Sequence, residues 1–139
     1  MNPTVFLDTG FAIALLSPRD RYHEVAARLG VTLKSDRIRI LTTDAVLLEI
    51  GSALSRIQHR QAAALLIAGL QGDPAVEILP VDDDLFDAGF ELFRQHDDKE
   101  WSLTDCISFS VMRNRTVTEV LGADIHFRQA GFTPLLLEP

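Results

Sequence analysis

The chain has 139 residues, with 20 acidic and 13 basic side chains, a formal net charge of −7 and a pI near 4.9. This length predicts one domain spanning residues 1–139, and a composition that is 47% hydrophobic and 24% charged is typical of a globular chain rather than a disordered one. A single cysteine excludes a disulfide framework and a cysteine-rich zinc site. The acidic balance argues, at first sight, against a nucleic-acid-binding protein, which normally carries a basic surface.

The sequence carries no signal for secretion or membrane insertion. The N-terminus has no basic segment followed by an apolar one, so no signal peptide is predicted. The longest apolar run, Ala62 to Ala68, has seven residues, whereas a membrane span needs about 20. We therefore expect a cytoplasmic protein without a membrane partner, in which Cys106 is a reduced thiol in the core.

Short apolar runs alternate with segments of helical periodicity along the whole chain. The predicted strands are 4–7, 38–41, 76–81, 118–121 and 133–137. The predicted helices are 11–16, 22–34, one capped at 42–44 that continues to 57, 61–70, one capped at 82–84 that runs to 95, 102–114 and 125–130. The alternation predicts a three-layer α/β/α fold with a central parallel sheet of about five strands. Ligands of such folds bind at the carboxyl ends of the strands.

Two aspartates follow predicted strands. Asp8 comes directly after the first strand, and Asp124 lies just beyond the strand at 118–121. Each has an ordinary alternative role as a turn residue or a helix cap, where Asp is common. If the two strands are neighbours across the point where the strand order reverses, these carboxylates converge.

Two further carboxylates lie on predicted helices. Glu49 is surrounded along an apolar helix by small neighbours, which suits a carboxylate that reaches into a cleft, although an exposed glutamate on a mixed face is also plausible. Asp105 follows Ser102 by three residues, which is the spacing of a capping box. Its role is therefore either to stabilise the start of its helix or to face the same cleft.

Four acids that meet at one place create a negative field that requires a cation if all of them stay ionised. A set of carboxylates without a histidine-rich or cysteine-rich partner set favours a hard divalent ion such as Mg²⁺ or Mn²⁺. Ions of this kind lower the pKa of water and hold a phosphodiester for in-line attack. The chemistry predicted from the residues is phosphodiester hydrolysis.

Four segments in order resemble those of a PIN domain, closest to the VapC-type toxin branch, over essentially the whole chain. They are 5–9, 43–50, 102–109 and 123–132. The resemblance implies a PIN-like fold and a Mg²⁺-dependent endoribonuclease that hydrolyses RNA, with Mn²⁺ as a possible substitute. It implies that Asp8, Glu49, Asp105 and Asp124 are the metal-binding and catalytic residues. It also implies a homodimer and a small antitoxin protein as a partner.

Two positions depart from the pattern of the family. Gly10 stands where a hydroxyl residue often lies two places after the first Asp, and Gly122 stands where Thr often precedes the last Asp. Both glycines reduce the support expected for a metal or a bound phosphate. The alternative function is therefore a PIN-like scaffold, weakly active or inactive, that binds RNA or a protein partner.

Other polar residues near the four acids are candidates for supporting roles, in contact with the metal ligands or the substrate. Thr104 precedes Asp105 and is equally well explained as a helix-start residue. For His126, an ordinary surface histidine is the simpler interpretation. The candidates for these supporting roles are Thr9, Thr104, His126 and Arg128.

The net charge is unevenly distributed. Residues 73–100 hold ten of the 20 acids and only two of the 13 bases, so the rest of the chain is slightly basic. Most of the bases are arginines, which suit bidentate phosphate contacts. We therefore predict an acidic face from 73–100 and a metal cleft rimmed by arginines from elsewhere. The candidate rim residues are Arg19, Arg21, Arg56, Arg113, Arg115 and Arg128.

Overall fold

The computed structural model describes residues 1–137, which form five strands and seven helices. The strands are β1 (Thr4–Leu7), β2 (Arg39–Thr43), β3 (Val76–Leu79), β4 (Glu119–Leu121) and β5 (Thr133–Pro134). The helices are α1 (Thr9–Leu16), α2 (His23–Ser35), α3 (Asp44–Ala53), α4 (Ile57–Gly72), α5 (Asp83–Gln95), α6 (Leu103–Arg115) and α7 (Ile125–Gln129).

The strands form one sheet in the order β3-β2-β1-β4-β5, and every pairing is parallel. The chain builds outward from β1 through β2 to β3, and then returns to the other side of β1 for β4 and β5. The strand order therefore reverses between β1 and β4, where Phe6 pairs with Val120 and Leu7 with Leu121. This reversal confirms the predicted fold and makes the strands before Asp8 and Asp124 neighbours.

Helices cover the sheet on both faces because the central strand is apolar on both. Successive side chains of a strand point to opposite faces, so Phe6 packs in one core cluster while Val5 and Leu7 pack in the other. All three are at most 3% exposed. Complete burial of a phenylalanine such as Phe6 contributes about 1.5–3 kcal/mol. Cys106 is buried in the core, as predicted.

Helices α5 and α6 approach each other closely at Gly89. A β-carbon added there would lie 2.5 Å from Cγ1 of Ile107 and 3.0 Å from its Cα. The glycine therefore allows α5 to lie directly against the backbone of α6, the helix that carries Asp105.

All the predicted helices and strands are present, and the differences lie at their ends. The predicted strand 76–81 ends earlier, at Leu79, because Pro80 lacks an N–H group and the Val81 N–H donates to Asp44 instead of to a strand. The predicted strand 133–137 is a regular strand only in β5, although the N–H groups of Leu135 and Leu136 still donate to the carbonyls of Val120 and Gly122.

The boundary between the third and fourth predicted helices also differs. α3 ends at Ala53, so the predicted continuation to residue 57 is wrong. α4 begins at Ile57 rather than at 61, because the backbone carbonyl of Arg56 accepts from the N–H groups of His59 and Arg60 and thereby starts the helix. Among residues 1–137, no helix is long and apolar enough to cross a bilayer.

Candidate active site

The first strand ends at Asp8, which lies between the sheet and α1. Asp8 occupies the N-cap position of α1, yet its side chain makes no capping hydrogen bond to that helix. Its backbone N–H donates to the carbonyl of Leu121 on β4 at 3.1 Å. Only 8% of the residue is exposed. The β1–β4 pairing therefore fixes a nearly buried carboxylate at the carboxyl edge of the sheet.

Glu49 reaches the same edge from α3. Thr43 caps this helix by accepting from the N–H of Val46, which fixes the start of α3 at the end of β2. The Oγ1 hydroxyl of Thr9 donates to Oε1 of Glu49 at 3.0 Å. This hydrogen bond links the segment that follows β1 to the middle of α3 and orients the half-buried carboxylate.

Asp105 is held by the first turn of α6. Ser102 Oγ accepts from the Asp105 N–H at 3.0 Å, and Asp105 Oδ2 accepts from the Ser102 N–H at 3.2 Å. These reciprocal bonds complete the predicted capping box. The residue is only 8% exposed, so the capping box and the packing around it both fix the carboxylate.

The last carboxylate is linked to Asp105 through a histidine. Asp124 caps α7 by accepting the backbone N–H of His126 at 2.9 Å. Nδ1 of the His126 ring lies 3.0 Å from Asp105 Oδ2 and 3.3 Å from Asp124 Oδ1. One ring nitrogen therefore contacts two carboxylates that come from different helix starts.

All four predicted acids line one open cleft of about 590 Å³. Small side chains of α3, Ser52 and Ala53, form the wall beside Glu49, in agreement with the small neighbours seen in the sequence. The remaining lining residues are Thr9, Gly10, Ile13, Ser102, Ala123 and His126.

The convergence of these acids perturbs their ionisation. The pKa of Asp8 rises to about 7, mainly because burial removes the carboxylate from water and next because the charge of Asp105 lies nearby. The hydrogen bond from the Thr9 N–H opposes this rise, and the charges of Glu49 and Asp124 add to it. Burial also raises the pKa of Glu49, partly offset by the Thr9 hydrogen bond. The cleft thus holds negative charge that protein groups do not fully compensate.

The supporting residues predicted from sequence are placed less uniformly. Thr9 contacts Glu49, and His126 contacts two acids, so the interpretation of His126 as an ordinary surface histidine is wrong. Thr104 is half-buried in the first turn of α6 and Arg128 is exposed on α7, and neither is among the residues that line the cleft. The sequence signal for His126 was only its distance of two residues from Asp124, which did not reveal the contact with α6.

The predicted arginine rim is wrong for two of its members. Arg113 and Arg115 lie at the end of α6 opposite to Asp105, and Arg115 forms a bidentate ion pair with Glu77, with one N···O distance of 2.6 Å. Arg115 and Thr4, at the start of β1, line a pocket at the amino edge of the sheet. These two arginines are therefore remote from the carboxylates.

The protein has a parallel sheet with a cleft of four carboxylates where the strand order reverses. This arrangement defines a class of protein suited to cation-assisted phosphodiester hydrolysis. The PIN domain family model matches residues 5–133, and the chain belongs to that family of nucleases. The resemblance found in the sequence is thus confirmed.

The similar proteins include an endonuclease of Mycobacterium tuberculosis. The chain is 33% identical over 129 residues to the 23S rRNA-specific endonuclease VapC20 of two Mycobacterium tuberculosis strains, covering 92% of this chain and 95% of that protein. A crystal structure of Mycobacterium tuberculosis VapC20, described as a sarcin–ricin loop cleaving toxin, matches with a TM-score of 0.80 and 30% identity over 93% of this chain and 96% of that one.

Proposed function

We propose that the protein is a metal-dependent endoribonuclease whose metal-binding and catalytic residues are Asp8, Glu49, Asp105 and Asp124. The observation that carries this proposal is their meeting in one cleft although they come from four separate parts of the chain. Each is positioned by a different local device: the β1–β4 pairing, the Thr9 hydrogen bond, the capping box and the cap of α7.

The donor set fits a hard divalent cation, which we propose to be Mg²⁺, with Mn²⁺ as a substitute. The four proposed ligands offer carboxylate oxygens, and these ions prefer oxygen. The raised pKa of Asp8 supports the same conclusion, because burial and the charges of the neighbouring carboxylates disfavour its ionised form, and a bound cation would favour it. A cation held there supplies charge neutralisation at the phosphate and a more acidic water for the attack on phosphorus.

The residues of the chain itself orient the proposed ligands. The buried carboxylates of Asp8 and Asp105 cannot turn away into solvent, since each is only 8% exposed. Thr9 holds Glu49 towards them through its 3.0 Å hydrogen bond. Preorganisation of this kind reduces the reorganisation needed when charge develops on the reacting phosphate.

The space around Gly10 and Gly122 bears on the alternative of an inactive scaffold. A β-carbon at Gly122 would lie 3.3 Å from Cβ of Asp8, whereas one at Gly10 would meet the Ala123 nitrogen at an ordinary 3.5 Å. The glycine at 122 thus lets Asp8 pack tightly against β4, and it leaves the four carboxylates together. This geometry favours the enzyme over the scaffold.

We further propose that the enzyme is the toxin of a toxin–antitoxin pair and acts in the cytoplasm on structured ribosomal RNA. The similar VapC20 is described as a toxin and as specific for 23S rRNA.

We also propose a homodimer. Support comes from α5, on which Phe86, Phe90 and Phe93 are each more than 40% exposed, an apolar surface of the kind that a second chain covers. Light scattering tests this, with a dimer expected at twice 15.4 kDa.

The activity is tested by incubating the protein with a sarcin–ricin stem-loop RNA and with an unstructured RNA of equal length. Cleavage of the stem-loop is expected with Mg²⁺ or Mn²⁺ and not with EDTA. Asp8→Asn should abolish it, while Asp87→Asn, an exposed carboxylate on α5, should leave it unchanged. Equal cleavage in EDTA would refute the metal mechanism, and no cleavage of diverse RNAs by the wild type would favour the scaffold.

A further inference from the structure

Within residues 1–137, an imidazole side chain lines the cleft beside the four carboxylates, and the proposed set of metal ligands gives it no role. Among residues 1–137, which include all four histidines, His126 is the one histidine that lines the cleft. Its side chain is 24% exposed, and its Nδ1 faces Asp105 and Asp124 rather than solvent. One ligand atom from each of these three residues lies within 4.8 Å of the others.

The two distances from the His126 nitrogen fit those between adjacent ligands of one ion. Two adjacent ligands of an octahedral ion, each about 2.1 Å from it, are about 3 Å apart. Nδ1 of His126 lies 3.0 Å from Asp105 Oδ2 and 3.3 Å from Asp124 Oδ1. The ring therefore does not need to move far for all three atoms to contact a common cation.

We propose that His126 is itself a metal ligand through Nδ1, and that this nitrogen makes the cleft bind Mn²⁺ and Co²⁺ more tightly than Mg²⁺. The assignment rests on the proposed metal-dependent function and refines it. Mg²⁺ strongly prefers oxygen ligands, whereas imidazole suits the transition metals, whose affinity for nitrogen-containing sites rises from Mn²⁺ to Co²⁺. Loss of the ring should thus weaken the binding of transition metals selectively.

The alternative is that the ring only positions Asp105. In that case Nδ1 carries a proton and donates it to Oδ2, and no nitrogen approaches the ion. Removal of the ring would then loosen the carboxylate and weaken all metals by the same factor. The two roles are separated by the ratio of affinities and by the identity of the atoms bound to the metal.

The first experiment titrates the metal-free full chain with Mn²⁺, followed by electron paramagnetic resonance, and with Co²⁺ and Mg²⁺, followed by calorimetry. His126→Gln should weaken Mn²⁺ and Co²⁺ binding by about tenfold or more, a loss of at least about 1.4 kcal/mol, and Mg²⁺ binding by less than twofold. His59→Gln, a change on α4 outside the cleft, is the matched control and should change neither. Equal losses for all three ions in His126→Gln would overturn the proposal.

The second experiment needs no variant and remains decisive if His126→Gln fails to fold. Pulsed electron paramagnetic resonance of Mn²⁺ bound to the wild type should show coupling to one nitrogen nucleus. When only histidine is labelled with ¹⁵N, this ¹⁴N coupling should be replaced by a ¹⁵N coupling. Absence of that coupling would overturn the ligand assignment. Nitrogen coupling without any RNA cleavage would leave the assignment intact and refute the proposed ribonuclease, and failure to bind any ion would refute both.

Discussion

Replacing Asp8 by Asn should stabilise the metal-free protein at neutral and alkaline pH. The folded state raises the pKa of this carboxyl from 3.8 to about 7, mainly by burial and by the charge of Asp105. Asn has nearly the same shape and still accepts the Thr9 N–H, and the Asp8 side chain makes no helix-capping bond that would be lost. The variant therefore removes the cost of a buried charge without removing a stabilising contact.

The size of the effect follows from the difference between the two pKa values. A difference of about 3 pKa units corresponds to about 4 kcal/mol at 1.36 kcal/mol per unit. Because the folded-state pKa lies above the unfolded one, the folded protein holds a proton that the unfolded chain has already released between about pH 4 and pH 7. The stability of the wild type accordingly falls as the pH rises through this range, and it levels off above about pH 7.

The assay is urea unfolding in EDTA at pH 4, 6 and 8. We expect Asp8→Asn to exceed the wild type by about 2–4 kcal/mol at pH 8, by less at pH 6, and by almost nothing at pH 4. Asp87→Asn, on the exposed face of α5, should show no such trend. With saturating Mg²⁺ the order should approach equality or reverse, since the ion stabilises the wild type preferentially. Destabilisation by Asp8→Asn at pH 8, or a shift that does not vary with pH, would refute the reasoning.

Three further changes probe the support of the cleft. Gly89→Ala should destabilise the protein by about 1–3 kcal/mol in urea unfolding, because the new methyl group would lie 2.5 Å from a side-chain carbon of Ile107. Ser102→Ala should cost about 1 kcal/mol by the same measurement and lower RNA cleavage, since it breaks the capping box of α6. Thr9→Val should raise the pKa of Glu49 further, weaken Mg²⁺ binding several-fold in calorimetry, and move the pH profile of cleavage upward.

Controls for the glycine and threonine changes come from matched positions elsewhere. Gly69→Ala adds a methyl group that meets nothing within 4 Å on an exposed helix, so it should stabilise by about 0.5–1 kcal/mol. Thr32→Val removes a hydroxyl bonded to the Arg28 carbonyl on α2 and should leave Mg²⁺ binding unchanged. Each expectation has one result that would contradict it. These results are unchanged stability of Gly89→Ala, full cleavage by Ser102→Ala, and equal effects of the two threonine changes on Mg²⁺ binding.

The sequence was sufficient to predict the fold because strand and helix periodicities alternate without interruption. It also singled out the four acids by two kinds of signal. Asp8 and Asp124 follow apolar strands, whereas Glu49 and Asp105 stand out on helices, one by its small neighbours and the other by its capping-box spacing. The convergence of Asp8 and Asp124 required the further fact that β4 returns beside β1, which periodicity suggests but does not determine. The contact between His126 and Asp105 could not be predicted from the sequence. It joins two helix starts 21 residues apart, and their mutual orientation depends on tertiary packing.

The predicted arginine rim is wrong at Arg113 and Arg115 because of the geometry of α6. Arg113 follows Asp105 by eight residues on α6, and at 1.5 Å per residue the two lie about 12 Å apart along the helix axis. Helix α6 begins at the carboxyl edge of the sheet, so its last turn must approach the opposite edge, where Arg115 pairs with Glu77. A net basic charge outside 73–100 therefore does not imply basic residues at the cleft.

This placement changes the interpretation of the net charge of −7. Within residues 1–137, the residues that line the cleft include four carboxylates and neither arginine nor lysine. A phosphate that entered without a cation would meet carboxylates with no arginine or lysine beside them, and like charges repel each other. In the proposed enzyme, the divalent ion must therefore serve RNA binding as well as hydrolysis, because it supplies the positive charge that a basic surface supplies in most nucleic-acid-binding proteins.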